Sequence, residues 1–193
     1  MRIITAIISG LLITQAALAE DLSGYTVVKL ANGITSVDFS ADGKDDMVVL
    51  GHRENYNAHG FEVATFYIKS SIFPSDPDEV WHIIPLGDGR GELQVTVGGG
   101  AECLLHDFRL LKGRQKNDVR LVVAKRELGE SFADENTVTF SIYALRTNEE
   151  HLPGSATFYF EKISSSSPKK KYCDVGEALS QELGLKDYRP DQN

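Results

Sequence analysis

The chain has 193 residues, of which 41% are hydrophobic, and its formal net charge at pH 7 is −8. This length and this hydrophobic content suit a single domain with a full core. The acidic balance argues against nucleic acid or an anionic membrane surface as a partner, because both would repel the protein. Beyond the amino terminus no stretch is apolar enough for membrane insertion. We therefore expect a soluble globular domain.

The amino terminus has the pattern of a secretory signal peptide. Arg2 supplies the positive charge, an apolar run follows, and small residues end at a cleavage site after Ala19. The apolar run is too short to span a bilayer. We expect residues 1–19 to be removed and residues 20–193 to form one periplasmic domain. A lipid anchor is not expected, because no cysteine stands near the cleavage site.

The segment from Asp38 to Asp46 has the spacing of a cation-binding loop. Hard cations such as Ca²⁺ bind several oxygens, and alternate residues of a tight loop can direct oxygens inward. Gly43 stands where the backbone must turn sharply. The expected ligands are three carboxylates, one hydroxyl and one main-chain carbonyl, from Asp38, Asp42, Asp46, Ser40 and Lys44 respectively.

This loop is not an EF-hand. Val49 occupies the position of the bidentate glutamate, and a buried strand follows where an EF-hand has a helix. We therefore expect a structural Ca²⁺ on a β-scaffold, with Asp46 closing the site. The alternative is a polar surface turn without an ion.

Short strands separated by turn signals account for most of the chain. The predicted strands are 25–30, 47–51, 61–68, 80–86, 93–97, 103–111, 119–125, 138–146 and 157–163. Turn signals such as Asn32-Gly33 and Pro153-Gly154 stand between them. Strands at this spacing, with no helices between them, predict an all-β fold, an antiparallel β-sandwich.

A polar segment and a short α-helix are predicted after the last strand. Residues 164–171 are rich in serine and lysine and are typical of a linker. Asp174 as N-cap, Glu177 three residues later and Gly184 at the far end predict a helix over 174–184.

The two cysteines of the chain are Cys103 and Cys173. In an oxidising compartment an even pair favours a disulfide, which would fix the carboxyl-terminal segment to a central strand. A metal site and a catalytic thiol are the alternatives. Both are disfavoured because there is no Cys-x-x-Cys motif and no histidine near Cys173.

The sequence does not assemble a catalytic set of residues. Its five histidines are scattered, without the spacing of a zinc site. Ser166 and Ser167 each begin an S-x-x-K string, a pattern of serine β-lactamases, but both strings lie in the polar segment without the partner motifs of those enzymes. We therefore expect no enzymatic activity. Arg90, in a glycine-rich loop, is a candidate contact for a partner.

These features together resemble the carbapenem intrinsic resistance proteins of the CarG type. The resemblance rests on the signal peptide, the Asp38–Asp46 loop running into a strand, the strand from Cys103 to Arg109 and the late Cys173. It implies a periplasmic β-sandwich that forms a homodimer and carries a cation in the loop. It also implies protection against a carbapenem without β-lactamase activity, by binding the β-lactam or a periplasmic protein partner.

The same fold is similar to the periplasmic inhibitors of invertebrate-type lysozyme. Those inhibitors use a protruding loop with a Ser-Gly-x-Tyr-like element. This chain has Ser23-Gly24-Tyr25, which is one residue shorter and lies beside the expected mature amino terminus. Lysozyme inhibition is therefore the second functional hypothesis. The alternative for this segment is a flexible lead-in to the first strand.

Overall fold

The computed structural model describes residues 20–40, 42–57, 59–72, 77–87, 91–99, 102–115 and 118–186. The expected signal peptide and Arg90 lie outside these ranges. The strands and the helix within them are β1 Thr26–Val27, β2 Gly33–Val37, β3 Asp46–Arg53, β4 Phe61–Ser71, β5 Glu79–Ile83, β6 Val95–Gly99, β7 Leu104–Lys112, β8 Val119–Arg126, β9 Val138–Thr147, β10 Phe158–Ser166 and α1 Val175–Leu183. The predicted all-β antiparallel fold with one short helix is confirmed. No helix in the described ranges has the length and hydropathy to cross a bilayer.

The strands form one continuous antiparallel sheet that folds over on itself into a sandwich. One half contains β1 and β7–β10, and the other half contains β2–β5. Their order is β10-β9-β8-β7-β6-β4-β3-β2, with β1 paired to β7 and β5 paired to β4. Strand β6 belongs to both halves, because it pairs with β4 and β7 and shifts register between Gly98 and Gly99. At the opposite edge, Phe160 exchanges 2.8 Å backbone hydrogen bonds with Pro85 and Gly87, which also joins the halves.

The main core lies between the two halves. Alternate residues of the strands point inward, as the period of a strand requires. Prominent members of this cluster are Val48, Leu50, Phe66, Ile68, Phe108, Leu110, Leu121, Val123 and Phe160. The ring of Phe66 packs edge-on against Phe108 and Phe160, with centroids 6.0 and 5.4 Å apart. Phe66 therefore connects the halves at the centre of the core.

Helix α1 covers the outer face of β7, β8 and β9. The buried cluster beneath it includes Leu111, Val122, Ala124, Phe140, Ile142, Val175, Ala178 and Leu179. Asp174 is the N-cap, because its Oδ1 accepts hydrogen bonds from the N–H groups of Gly176 at 2.7 Å and Glu177 at 3.0 Å. Gly184, with φ of 69°, ends the helix in the left-handed conformation. The predicted helix and its caps agree with the structure.

The Cys103–Cys173 disulfide predicted from the sequence is present, with the Cα atoms 5.5 Å apart. It joins the start of β7 to the residue before the helix cap. Beside it, Asp174 Oδ2 accepts a hydrogen bond from the Leu104 N–H at 3.0 Å. A disulfide across a sequence separation of 70 residues stabilises a fold by about 4 kcal/mol in the chain-entropy description.

Several expectations about secondary structure differ from the structure. The predicted strand 25–30 is reduced to Thr26–Val27, and the bounds of β5 and β6 are shifted from 80–86 and 93–97. The predicted linker 164–171 is wrong at its start, because Ser164, Ser165 and Ser166 continue β10 and pair with β9 after a register shift. Strand β2 is absent from the prediction. Its sequence, Gly-Ile-Thr-Ser-Val, has few apolar residues, and it is a strand because its backbone pairs with β3 along its whole length.

Candidate functional site

The predicted cation loop connects β2 to β3. Phe39 is fully buried in the main core and anchors the start of the loop, while Asp38 and Ser40 on either side are partly buried. Gly43 has φ of 83°, the left-handed conformation that its place in the loop predicts. Asp42 is exposed at the tip. The loop is therefore fixed by an apolar residue between its first two expected ligands.

Asp46 is only 1% exposed and binds backbone groups. Its Oδ2 accepts hydrogen bonds from the N–H groups of Phe39 at 2.9 Å and Ser40 at 3.3 Å, and its Oδ1 accepts one from Lys69 at 3.0 Å. Burial raises the pKa of Asp46, and the three hydrogen bonds act in the opposite direction. This carboxylate therefore ties the loop to β4.

The other expected ligands are only partly available. Asp38 Oδ1 is buried and has no hydrogen-bond partner among the described residues, as suits a cation ligand. Asp42 Oδ1 accepts the Lys44 N–H at 2.8 Å, and the Lys44 ammonium pairs with Glu79. Within the described ranges, no three Asp, Glu, His or Cys side chains come together as a metal site. The oxygens are of the right type for Ca²⁺, but those of Asp46 are committed to the backbone, so the ion stays a prediction.

The side chains that could support hydrolysis do not form a catalytic set in the described residues, although His59 and His106 line one pocket. Ser166 lies in β10, and the Ser167 hydroxyl is 3.2 Å from that of Thr139. Three histidines have separate neighbours: His52 contacts Glu54, His59 the carbonyl of Gly99 and His82 the carbonyl of Ser70. These contacts assemble neither a nucleophile with its base nor a zinc site in the part of the chain that the structure describes.

A cavity of about 390 Å³ opens between β6, β7, β8 and β9. Its apolar wall consists of the buried side chains Leu86, Val95 and Val123. Its polar lining includes Glu92, His106, Lys125 and Tyr143. Sequence reasoning missed this cavity. No spacing signal marks it, because His106 meets Lys125 only through the pairing of β7 with β8.

The polar groups of the cavity differ in charge. Burial, and to a lesser extent the charge of Lys125, lower the pKa of His106, so its imidazole is neutral near pH 7. Burial raises the pKa of Tyr143, which keeps the phenol neutral as well. Lys125 Nζ lies 4.0 Å from Glu92 Oε2, and both side chains are more than half exposed. The cavity thus combines an apolar wall, two neutral hydrogen-bonding groups and a loosely paired cation.

The outer face of β2, β3, β4 and β5 carries exposed apolar side chains among polar ones, and no described element covers it. Ile34 is 70% exposed and Trp81 is 45% exposed. Strand register places Val49 beside Ile34 on this face. Trp81 pairs with Lys69, whose ammonium lies 5.9 Å from the centre of the indole ring. Exposed apolar side chains therefore share this face with the charged side chains of Lys44, Lys69 and Glu79, a mixture that protein interfaces commonly have.

In the Ser23-Gly24-Tyr25 segment, Ser23 and Gly24 are exposed and Tyr25 is partly buried. The Tyr25 hydroxyl donates a 2.6 Å hydrogen bond to Asp118 Oδ1. Burial, followed by this bond, raises the pKa of Tyr25 to about 12. Tyr25 therefore anchors the first described residues to the sheet. Lysozyme inhibition through this segment stays a prediction, and this geometry does not add to it.

Comparison with known proteins identifies the family of the chain. Residues 30–181 match the family described as "Carbapenem resistance protein CarG-like". A solved structure, "Crystal structure of CarG", is similar with a TM-score of 0.67 and 26% sequence identity, covering 81% of this chain and 94% of that one. No curated protein sequence matches the chain. Because the family match extends over most of its length, the chain belongs to the CarG-like family of carbapenem resistance proteins.

Proposed function

We propose that this chain is an exported, non-enzymatic carbapenem resistance protein that acts by binding the drug or a protein partner. Its family membership carries the proposal. The Cys103–Cys173 disulfide supports an oxidising compartment such as the periplasm. The Ser167 hydroxyl contacts the hydroxyl of Thr139 rather than a base, which supports protection that does not depend on hydrolysis.

Growth of a carbapenem-sensitive bacterial host across a drug gradient tests this function. A host that exports the full chain should survive a higher concentration than the same host with an empty vector. The matched control is the chain without residues 2–19, which should be retained in the cytoplasm and should not protect. Equal survival with the full chain and the empty vector would reject the function, and equal protection by both forms would reject the exported site of action.

Purified protein tests whether the drug is destroyed. Binding without turnover removes at most about one drug molecule for each protein molecule, whereas an enzyme removes many. The absorbance of the carbapenem ring, followed over time with substoichiometric protein, should decay at the rate seen in buffer. Many turnovers would contradict the non-enzymatic part of the proposal, and a variant with Ser166→Ala and Ser167→Ala would then locate the activity.

We also propose a homodimer in which a second copy covers the outer face of β2–β5. The face exposes Ile34 and Trp81, and a patch on a two-fold axis meets itself. It also carries charges of both signs, from Lys44, Lys69 and Glu79, so two copies can oppose unlike charges. Sedimentation at micromolar concentration should give the mass of a dimer, and a monomer mass would contradict this.

A structural Ca²⁺ at the loop from Asp38 to Asp46 is a further part of the proposal. The spacing of the oxygens and the buried Asp38 Oδ1 atom support it. An ion that binds only the folded protein stabilises it by mass action. We assign this ion a role in stability alone, so protection against the drug should not require it beyond keeping the protein folded.

A further inference from the structure

The cavity between β6 and β9 has the size and lining of a small-molecule site. Its volume of about 390 Å³ falls within the common range for ligand pockets, roughly 300–1,000 Å³. Leu86, Val95 and Val123 are 6%, 4% and 5% exposed, so the wall they form belongs to the main core and is held in place by it. A compact ring would gain contact with this wall without rearranging the sandwich.

The charged groups of the cavity favour an anionic ligand. Lys125 follows the inward-facing Val123 by two residues in β8, so its side chain leaves the strand on the cavity side. Glu92 belongs to the connection between β5 and β6, and its side chain is 69% exposed. An exposed pair at 4.0 Å contributes little, about 0–1 kcal/mol. A ligand carboxylate that reaches Lys125 therefore displaces only the weakly bound Glu92. A ligand cation would instead have to compete with Lys125 for Glu92.

The neutral side chains of His106 and Tyr143 can add hydrogen bonds to an anionic ligand. His106 lies beside Lys125 in the register of β7 and β8, and Tyr143 lies on the next strand but one along the sheet. Neutral imidazole and phenol groups can each donate a hydrogen bond to a carboxylate or carbonyl oxygen. A carboxylate bound here would also favour the protonated form of His106, which gives the site a spectroscopic reporter.

We propose that this cavity binds a small organic carboxylate, with Lys125 as the counter-ion and the wall of Leu86, Val95 and Val123 against its ring. The inference rests on the proposed function, because a carbapenem is a compact bicyclic ring that carries one carboxylate. It assigns the drug-binding mode of that function to this cavity. The alternative mode, through a protein partner, needs no such site.

Nuclear magnetic resonance titration of the purified protein with imipenem tests the site. The ring signals of His106 should move saturably, and the pKa of His106 should rise in the complex. Lys125→Gln should weaken binding about tenfold, the loss expected when one charge-assisted hydrogen bond is removed. Lys112→Gln, at the other end of β7, is the matched control and should bind like the wild type. Glu92→Gln removes the competitor and should bind more tightly.

These variants change exposed side chains, so their spectra should show folded protein and the binding data stay interpretable. No saturable movement of the His106 signals, or equal affinity of Lys125→Gln and the wild type, would overturn the site. The growth assay separates this failure from failure of the proposed function. Protection without binding rejects the cavity alone, and binding without protection rejects the function alone.

Discussion

Both halves of the sandwich have apolar side chains on their outer faces, but only one of these faces is covered by another element of the described chain. On the β7–β9 half, helix α1 buries Leu179 and neighbouring residues, and the disulfide fixes the start of the helix. On the β2–β5 half, Ile34 and Trp81 remain exposed in the described chain. The outer face of β7–β9 is therefore covered by a helix of the same chain, which a disulfide holds in place. The other face is available to another molecule, which our proposal takes to be a second copy.

The two halves also differ in the burial of their ion pairs. Asp107 and Arg109 belong to β7 in the helix-covered half. They are 0% and 3% exposed, and their side chains form a 2.6 Å ion pair. On the open face, Lys69 and Glu79 are 3.8 Å apart and reach solvent. Buried pairs tolerate little change, whereas exposed pairs contribute little to stability. Substitutions should accordingly affect folding on one face and association on the other.

The largest expected effect comes from breaking the covalent attachment of the helix. Replacement of both Cys103 and Cys173 by Ser should lower the free energy of unfolding by about 4 kcal/mol, because the unfolded chain regains the entropy of the open loop. Urea denaturation of the oxidised wild type and the double variant measures the difference. Equal midpoints would show that the helix is held by packing alone.

A smaller loss of stability is expected at the loop of the open half. Asp46→Asn replaces one of the two accepting oxygens by an NH₂ group that cannot accept a backbone N–H, and it should destabilise the fold by about 2–3 kcal/mol with or without Ca²⁺. Asp38→Asn is the matched control from the same loop. It should have little effect in chelator, but it should remove the rise in melting temperature that we expect Ca²⁺ to give the wild type. Identical melting of the wild type in Ca²⁺ and in chelator would contradict the ion.

Substitutions on the outer face of β2–β5 should change the stability of the dimer. Trp81→Ser should weaken the dimer by about 2 kcal/mol, the size expected for an aromatic anchor of an interface. Leu152→Ser is the matched control, because Leu152 is also exposed, at 53%, but lies in the β9–β10 connection. Sedimentation equilibrium of the three proteins measures the effect. A wild-type dimer that survives Trp81→Ser unchanged would place the interface elsewhere.

The smallest expected effect is a pH dependence on the helix-covered half. The pKa of Tyr25 rises from 10.0 to about 12 on folding, so the folded state holds this proton more tightly than the unfolded state. The resulting stability is fully present below about pH 10 and is lost as the pH rises towards about 12. Tyr25→Phe should therefore lose less stability than the wild type between about pH 9 and about pH 11. Equal losses in urea denaturation at the two pH values would contradict the shift.

Much of the fold could be predicted because its signals are local. Alternating apolar residues mark β4 and β9, and Asp174 and Gly184 mark the ends of the helix. The serines of β10 have the composition of a linker, because their side chains carry no apolar signal. Their place in the sheet depends on backbone pairing with β9, which the sequence does not display.

The sites were less accessible to prediction because they depend on three-dimensional neighbours. The loop spacing predicted Asp38 and Asp46 as cation ligands, but it could not show that Asp46 turns towards the N–H groups of Phe39 and Lys69. His106 and Lys125 come together only when the register of two strands is known. The composition and spacing of the sequence do not show which residues of two strands lie side by side.

Protection by binding is tested most directly by measuring intact carbapenem in cultures of a sensitive host that survive because they export this protein. We expect survival while the drug in the medium stays at its starting concentration, apart from the loss seen in sterile medium. Survival accompanied by disappearance of the drug, at many molecules for each exported protein molecule, would contradict protection by binding. Failure of the exporting host to survive would contradict it as well.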